Sequence, residues 1–410
     1  VAVVGAGYAG CAAAVTLAAA GARVTLYEAA PVVGGRARRV QAKERSLDNG
    51  QHILIGAYSE LLRLMRTVGV ASEALIRMPL ELRYADGFAL RAWWLPEPLG
   101  LLAGLLGARR LPFREGLGAV RFLRALRRSA WRIEPDCTVG ELLARHRQEG
   151  RIGHYVWRPL CVSALNTPPG IASAQVFVTV LRDSLAGGAG ASDLLLPATN
   201  LSALFPEPAA DFVRARGGEV RTTAPVREIA PGLRVDGEPY EHVVLAIAPH
   251  QLKAFEALTG AIPEFSYQPI YTCYLQYGER VRLPWPMLGL AGGLVQWVFD
   301  RGALGGPRGL LACMISAQGD HQQMTHEELA AACSRELAAA LPGLAAPEWA
   351  QVIAEKRATI SCTPGLRRPS GETPTPGLHL AGDYTDPDYP PTLEAAVRGG
   401  VRAARRVLGR

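Results

Sequence analysis

Lysine is nearly missing from this 410-residue chain: Lys43, Lys253 and Lys356 are all there are, so 44 basic against 37 acidic residues is mostly arginine. The resulting net charge of +7 is modest, and no nucleic acid is expected as a partner. Paired cysteines are missing too. The seven present (positions 11, 137, 161, 273, 313, 333 and 362) are dispersed with no C-x-x-C, which excludes a disulfide frame. They read as buried free thiols in a reducing compartment. Histidines are scattered without H-E-x-x-H spacing, so no metal site is expected. The greasy stretch Leu99–Leu106 is far too short to span a bilayer. No signal-peptide pattern precedes Val1, and a cytoplasmic location is expected. No second G-x-G-x-x-G follows a strand, so a two-nucleotide disulfide reductase is excluded and electrons must come from an external donor.

What is there begins at once. Val1–Val4 reads as a short buried strand running into Gly5-Ala6-Gly7-Tyr8-Ala9-Gly10, which fits G-x-G-x-x-G. The alanine-rich run Cys11–Ala20 reads as the next helix, and Val24–Tyr27 as a second strand ending on Glu28. Each part of this βαβ unit has a mechanical reason. Gly5 permits the tight turn, Gly7 lets backbone approach a pyrophosphate, and Gly10 lets helix and strand pack closely. The helix start at Tyr8 and Ala9 offers free N–H groups and partial positive charge to the phosphate. Glu28 is placed to accept hydrogen bonds from ribose hydroxyls. A dinucleotide site is expected here.

Which dinucleotide is decided further on. Gly34-Gly35-Arg36 follows the ribose acid and can bring backbone amides and a guanidinium to the same pyrophosphate. Near the other end, Leu378–Ala381 reads as a strand, Gly382-Asp383 as a turn, and the stretch from Pro391-Thr392 as the start of a helix. Gly399-Gly400 inside that helix are expected to pack against a cofactor. Between these segments, Gly218–Thr222, Pro225–Ile229 and Glu241–Ile247 alternate like strands. The spacing E-x(5)-G-G-R, together with the C-terminal turn, resembles the flavin amine-oxidase and phytoene-desaturase superfamily. That resemblance implies non-covalent FAD, with Asp383 at its ribityl or phosphate end and the backbone of Val226 at the adenine. It also implies that the helix starting near Thr392 and Leu393 points its N–H groups at flavin N1 and the C2 carbonyl.

The rest reads as a substrate part. Leu80–Tyr84 and Phe88–Trp94, joined by Asp86-Gly87, read as a hairpin. Trp93, Trp94, the Leu99–Leu106 run, Arg109-Arg110 and the basic amphipathic stretch Val120–Arg128 suggest contact with a membrane surface. The stretches LDNGQHILIGAY (47–58), RPLCVSALNTPPGIASAQVFVTVLRDSL (158–185) and SDLLLPATNLSALFPEPAADFVRARGGEV (192–220) resemble the squalene-associated FAD-dependent desaturases, a family understood as hydroxysqualene dehydroxylases. The likeness runs along essentially the whole chain. It implies reduction of hydroxysqualene, a C30 isoprenoid alcohol, to squalene, by hydride from reduced flavin at the inner face of the cell membrane. A squalene-synthase-like enzyme is a partner it implies.

An α/β fold is expected: a discontinuous Rossmann-like FAD-binding domain (1–60, 205–255, 351–410) and an amine-oxidase-like α+β substrate domain (61–204, 256–350). By residue type the proton donor is sought among Asp388, Tyr389, Asp183 and His52. The first two rank highest because they precede the flavin-contacting turn. A carotenoid or phytoene desaturase, running the flavin in the oxidising direction, is the enzymatic alternative. A non-catalytic flavoprotein assisting a squalene-synthase-like partner is the other.

Overall fold

Short strands that are apolar on both faces need cover on both sides, and this chain supplies it from segments far apart in sequence. The computed structural model describes residues 1–42, 45–93, 95 and 99–410. The elements that shape its cavity are, in chain order, β1 (Ala2–Val4), α1 (Tyr8–Ala19), β2 (Thr25–Tyr27), α2 (Leu99–Leu106), α3 (Phe113–Arg128), α4 (Arg158–Leu165), α5 (Ala174–Ala186), β3 (Glu219–Arg221), β4 (Val243–Leu245), β5 (Tyr267–Gln276), β6 (Met287–Gly289), β7 (Trp297–Asp300), β8 (Leu310–Ser316), α6 (His326–Ala340), β9 (Trp349–Ile360), β10 (Leu378–Leu380) and α7 (Leu393–Val407).

A parallel sheet in the order β3-β2-β1-β4-β10 gathers three distant stretches of chain. Its strand order reverses between β1 and β4, where such sheets open a crevice outside their carboxyl ends. Helices α1 and α7 cross over this sheet in backbone contact. A Cβ on Gly400 would lie 2.0 Å from the Ala9 carbonyl oxygen, and one on Gly399 would lie 2.5 Å from that of Gly382. The glycine pair therefore serves helix–helix and helix–turn packing, not the cofactor contact expected of it. A second correction concerns Pro225–Glu228, which is not strand; the strand there is Ile229–Ala230. The Asp236 carboxylate accepts the N–H groups of Arg227 (3.1 Å) and Glu228 (2.9 Å), so those donors are spent on a side chain and cannot join a ladder.

The second sheet is antiparallel, in the order β6-β7-β8-β5-β9. One face packs Tyr271, Cys273, Leu275 and Cys313 against Leu329, Cys333 and Leu337 of α6. Its other face carries a cross-strand row of Thr272, Met314 and Trp297, of which Met314 and Trp297 line the cavity. Strand β9 continues to Ile360, past the domain boundary expected at 350. All seven cysteines are buried and free. The expected hairpin forms from Glu81–Arg83 and Ala89–Arg91, with Asp86 Oδ1 accepting the Phe88 N–H at 3.1 Å. Trp94 and Lys43 lie outside the described residues.

Candidate active site

A cavity of about 890 Å³ runs from the carboxyl ends of the parallel sheet to the open face of the antiparallel one. At its first end lie Gly5, Glu28, Ala246 and Ala381, which follow β1, β2, β4 and β10. The glycines there have different causes. Gly5 has φ +99°, and a Cβ on it would meet the Ala246 carbonyl oxygen at 2.6 Å. A Cβ on Gly10 would sit 1.8 Å from the Gly5 carbonyl oxygen. Those two are required by the chain's own packing. Gly7 is not: its backbone is ordinary, with φ −74°, and a Cβ would meet nothing nearer than Gly35 Cα at 3.8 Å. A side chain there would fill only cavity, so the fold leaves this backbone bare for a ligand. Helix α1 starts beside it with no side-chain cap, which leaves its first N–H groups and partial positive charge for an anion.

Glu28 is held stiffly, its carboxylate oxygens accepting the N–H groups of Ala6 and Ala30, each at 2.9 Å. The Arg36 guanidinium is committed to Asp383 (2.8 Å) and to the Ala358 carbonyl (2.7 Å), bridging the N-terminal and C-terminal motifs. Thr392 caps α7, accepting the Ala395 N–H at 3.2 Å. Of the residues expected at a cofactor, Gly5, Gly7, Tyr8, Ala9, Glu28, Gly34, Gly35, Arg36, Val226, Gly382, Asp383, Pro391, Thr392 and Leu393 all line this one cavity. Gly10 does not line it, and acts through packing alone.

The middle of the cavity is formed by Asn49–His52, Tyr58 and Tyr389. Asp48 accepts the Leu201 N–H at 2.8 Å and faces Arg301 at 3.5 Å; Arg301 donates to Gln51 Oε1 at 2.5 Å. Asn49 donates to the Arg36 carbonyl at 2.9 Å and to Glu355 at 3.3 Å. The His52 Nδ1 lies 3.3 Å from the Gly50 carbonyl oxygen. That partner can only accept, which assigns the ring proton to Nδ1. Burial, with the Arg36 charge, pushes the His52 pKa down and keeps the ring neutral. Tyr389 is 2 % exposed, with the Arg398 guanidinium 4.3 Å from its ring centroid. Burial, then the neighbouring Tyr58, pushes its pKa up, so its hydroxyl keeps its proton.

The other two candidate acids sit elsewhere. Asp183 pairs with Arg182 at 2.8 Å and with Arg398 at 4.0 Å, and Asp388 is exposed. Neither lines the cavity. Asn166 ends α4 in the left-handed region, with φ 46°, and also ties the elements around the cavity together. It donates to Thr359 Oγ1 at 3.0 Å and accepts the Ala317 N–H at 2.7 Å. The sequence pattern did not single out Arg301, Glu355 or Tyr58; Tyr58 ends the stretch 47–58 quoted above, but nothing in that stretch marked it as a cavity residue.

The far end is apolar. Leu82, Leu90, Leu101, Leu105, Leu160, Leu181, Trp157, Trp297 and Phe299 line it, with Ser163, Ser184 and Ser192 as its sparse polar groups. Among the described residues no ionisable side chain lines this end. Helix α2 is its outer wall: Leu101 and Leu105 face the cavity, while Leu99 and Leu106 are 56 % and 37 % exposed. Trp93 (54 %) and Phe113 (64 %) are exposed beside them. Arg109, Arg110 and Arg114 are exposed, as are Arg121, Arg124, Arg127 and Arg128 along α3. Among the described residues no helix is long and apolar enough to cross a membrane.

A two-sheet α/β chain with bare glycine backbone at one end of a cavity and apolar side chains at the other is compatible with a flavin oxidoreductase, and the comparisons show the family. The family described as "Flavin containing amine oxidoreductase" matches residues 8–408. The chain belongs to that family, and within it to the hydroxysqualene dehydroxylases, and its cofactor is a flavin. Hydroxysqualene dehydroxylase of Rhodopseudomonas palustris is 30 % identical over 99 % of this chain and 97 % of its own. A zeta-carotene desaturase of Synechocystis sp. is 24 % identical over 100 % of this chain and 97 % of its own. In fold, cyclohexylamine oxidase from Brevibacterium oxydans aligns over 100 % of this chain and 99 % of its own, at TM-score 0.67 and 20 % identity.

Proposed function

We propose that this chain is an FAD-dependent oxidoreductase that removes the allylic hydroxyl of hydroxysqualene and leaves squalene. One observation carries the reading: one cavity joins the bare Gly7 backbone and the uncapped start of α1 to an apolar end with no ionisable group among the described residues. FAD, bound without a covalent link, would be held by the Gly5–Gly7 turn, Glu28, Gly34–Arg36, the backbone of Val226, Asp383 and the start of α7. When bound and reduced, the flavin supplies the hydride that replaces the hydroxyl.

The chain's own residues supply the rest. The C–O bond breaks with its electron pair going to oxygen, and the departing hydroxide must gain a proton to leave as water. We assign that proton to the Tyr389 hydroxyl, which lines the cavity and stays protonated. Hydroxide is a far stronger base than a phenolate and draws a proton from a phenol. Solvent then restores it. His52, neutral and with Nδ1 engaged by Gly50, presents Nε2 as an acceptor and fixes the hydroxyl's orientation. The leucines of the far end hold the isoprenoid and exclude the water that would otherwise recapture the cation. The division into an FAD part (1–60, 205–255, 351–410) and a substrate part (61–204, 256–350) belongs to this proposal.

The substrate is nearly insoluble in water, so the exposed apolar face of α2 with its arginine surround is assigned to the inner face of the cell membrane. There Trp93, Leu99, Leu106 and Phe113 would enter the acyl boundary and the arginines would meet anionic headgroups. An external donor reduces the flavin, and a squalene-synthase-like enzyme supplies the alcohol. The test is direct. Purified protein, chemically reduced without oxygen and given hydroxysqualene, forms squalene. A desaturase would instead leave the alcohol untouched and, when oxidised, introduce double bonds into a polyene; a non-catalytic flavoprotein would do neither.

A further inference from the structure

Giving up its proton leaves Tyr389 as a phenolate, and a phenolate as buried as this one is costly unless a positive charge stands near it. Tyr389 is held where one does. Its backbone N–H donates to Asp386 Oδ1 at 3.2 Å, and its carbonyl accepts from Arg368 at 2.7 Å. Those two bonds fix the ring at its root. Against its face lies the Arg398 guanidinium, 4.3 Å from the ring centroid. That is inside the roughly 6 Å reach of a cation–π contact. Arg398 does not line the cavity itself.

Arg398 is fixed as well. It stands one turn beyond Glu394 on α7 and donates through Nε to Glu394 Oε1 at 2.8 Å. Glu394 is wholly buried, and its carboxylate also accepts the N–H groups of Glu60 (3.1 Å) and Leu61 (2.9 Å) in the first turn of the helix Ser59–Thr67. Its negative charge is thus shared between a helix start and the guanidinium. Asp183, at 4.0 Å, is the other carboxylate facing Arg398. Burial, then Tyr58, Asp183 and Glu394, push the Tyr389 pKa up, and Arg398 pulls it down. A guanidinium gains more from a phenolate than from a phenol, because the phenolate charge spreads over the ring carbons beneath it. We infer that Arg398 stabilises the Tyr389 phenolate as the proton leaves, and so sets how readily the tyrosine serves as donor. The Tyr389 O–H bond breaks with its electron pair left on the phenolic oxygen, and the proton joins the departing hydroxide as water. A proton from solvent restores the phenol. Arg398 is a positioning residue, acting through the tyrosine.

This inference rests on Tyr389 as the proton donor of the dehydroxylase reading, and its test separates the two. Arg398→Gln is expected to lower single-turnover kcat about tenfold, with flavin content and KM little changed. The deciding readout is the acidity of the ring. Trifluorotyrosine, a more acidic phenol of nearly the same shape, is placed at position 389 alone and titrated by fluorine NMR in the flavin-loaded protein. Its dissociation constant is expected to be about tenfold larger with Arg398 present than in Arg398→Gln, a difference that packing alone would not produce. Equal constants in the two proteins overturn the role of Arg398 and leave Tyr389 as donor standing. A changed constant with unchanged kcat overturns it too. Undiminished kcat in Tyr389→Phe removes the donor and this inference together. Citrulline at position 398 keeps the planar group and its hydrogen bond to Glu394 and removes only the charge, so it decides the matter even if Arg398→Gln folds poorly.

Discussion

The two ends of the cavity are built from different materials. At the flavin end the chain presents backbone: Gly7 is bare, α1 is uncapped, and the Gly34–Gly35 turn closes on Gly7 so tightly that a Cβ on Gly35 would lie 3.0 Å from Gly7 Cα. At the end proposed for the isoprenoid it presents side chains, drawn from α2, α4, α5, the hairpin and the antiparallel sheet, with no charge among the described ones. A phosphate needs N–H groups and a positive potential, which any backbone can give if glycine lets it come close. A flexible hydrocarbon needs area and dryness, which only a collection of side chains can give. The two ends meet at Asn49–His52 and Tyr389, where the proposed chemistry is placed.

Three variants break this contrast at three places, in descending order of effect. At the meeting point, Tyr389→Phe removes the proton donor and is expected to lower kcat by roughly a hundredfold or more, as for loss of a general acid. Flavin absorbance of the purified variant should match the parent, since the phenyl ring keeps its packing. Outside the apolar end, Arg124, Arg127 and Arg128 changed together to Glu remove about 1 kcal/mol each of attraction to anionic headgroups. Co-sedimentation with anionic liposomes should drop steeply, and parent binding should weaken with salt, while flavin content stays intact. At the flavin end, Glu28→Ala is expected to weaken FAD binding by roughly 1.5–3 kcal/mol, read by titrating the apoprotein with FAD. That variant should still bind liposomes. If the Arg variant loses flavin or the Glu28 variant loses the membrane, the two ends are not separate.

A smaller effect sharpens the middle. Burial lifts the Tyr389 pKa and lowers that of His52, so the first stays protonated and the second neutral over the same range. Neither group changes state there, and kcat in single turnovers should be flat from about pH 7 to about pH 9. A limb falling as pH rises in that window would point to a donor other than Tyr389.

The same contrast explains what could be read from the residues. The flavin end was legible because its demands are local: a strand, a glycine turn, a helix start and an acid follow one another within Val1–Glu28, and Leu378–Leu393 repeats the pattern of strand, turn and helix. Strand β1 showed as a short apolar run because both its faces are covered, whereas β3 and β4 showed by alternation. Pro225–Glu228 misled because alternation counts side chains, whereas the ladder was lost to a carboxylate at Asp236. Gly399 and Gly400 misled because a glycine that admits a ligand and one that admits a helix look alike. Asp183 and Asp388 stood near motifs, but the arginine partners of Asp183 and the exposure of Asp388 belong to the fold. Pairings across long separations were out of reach altogether. Arg301 orients Gln51 from 250 residues away, and Ser163 pins Trp297 from 134.

One measurement tests the shared cavity most directly. Enzyme reduced without oxygen in D₂O, where the transferable flavin hydrogen exchanges with solvent, is mixed with one equivalent of hydroxysqualene. Flavin oxidation should rise in step with squalene, and the squalene should carry one deuterium at the carbon that lost its hydroxyl. Squalene without that deuterium, or flavin that stays reduced while the alcohol is consumed, would contradict hydride transfer within one cavity.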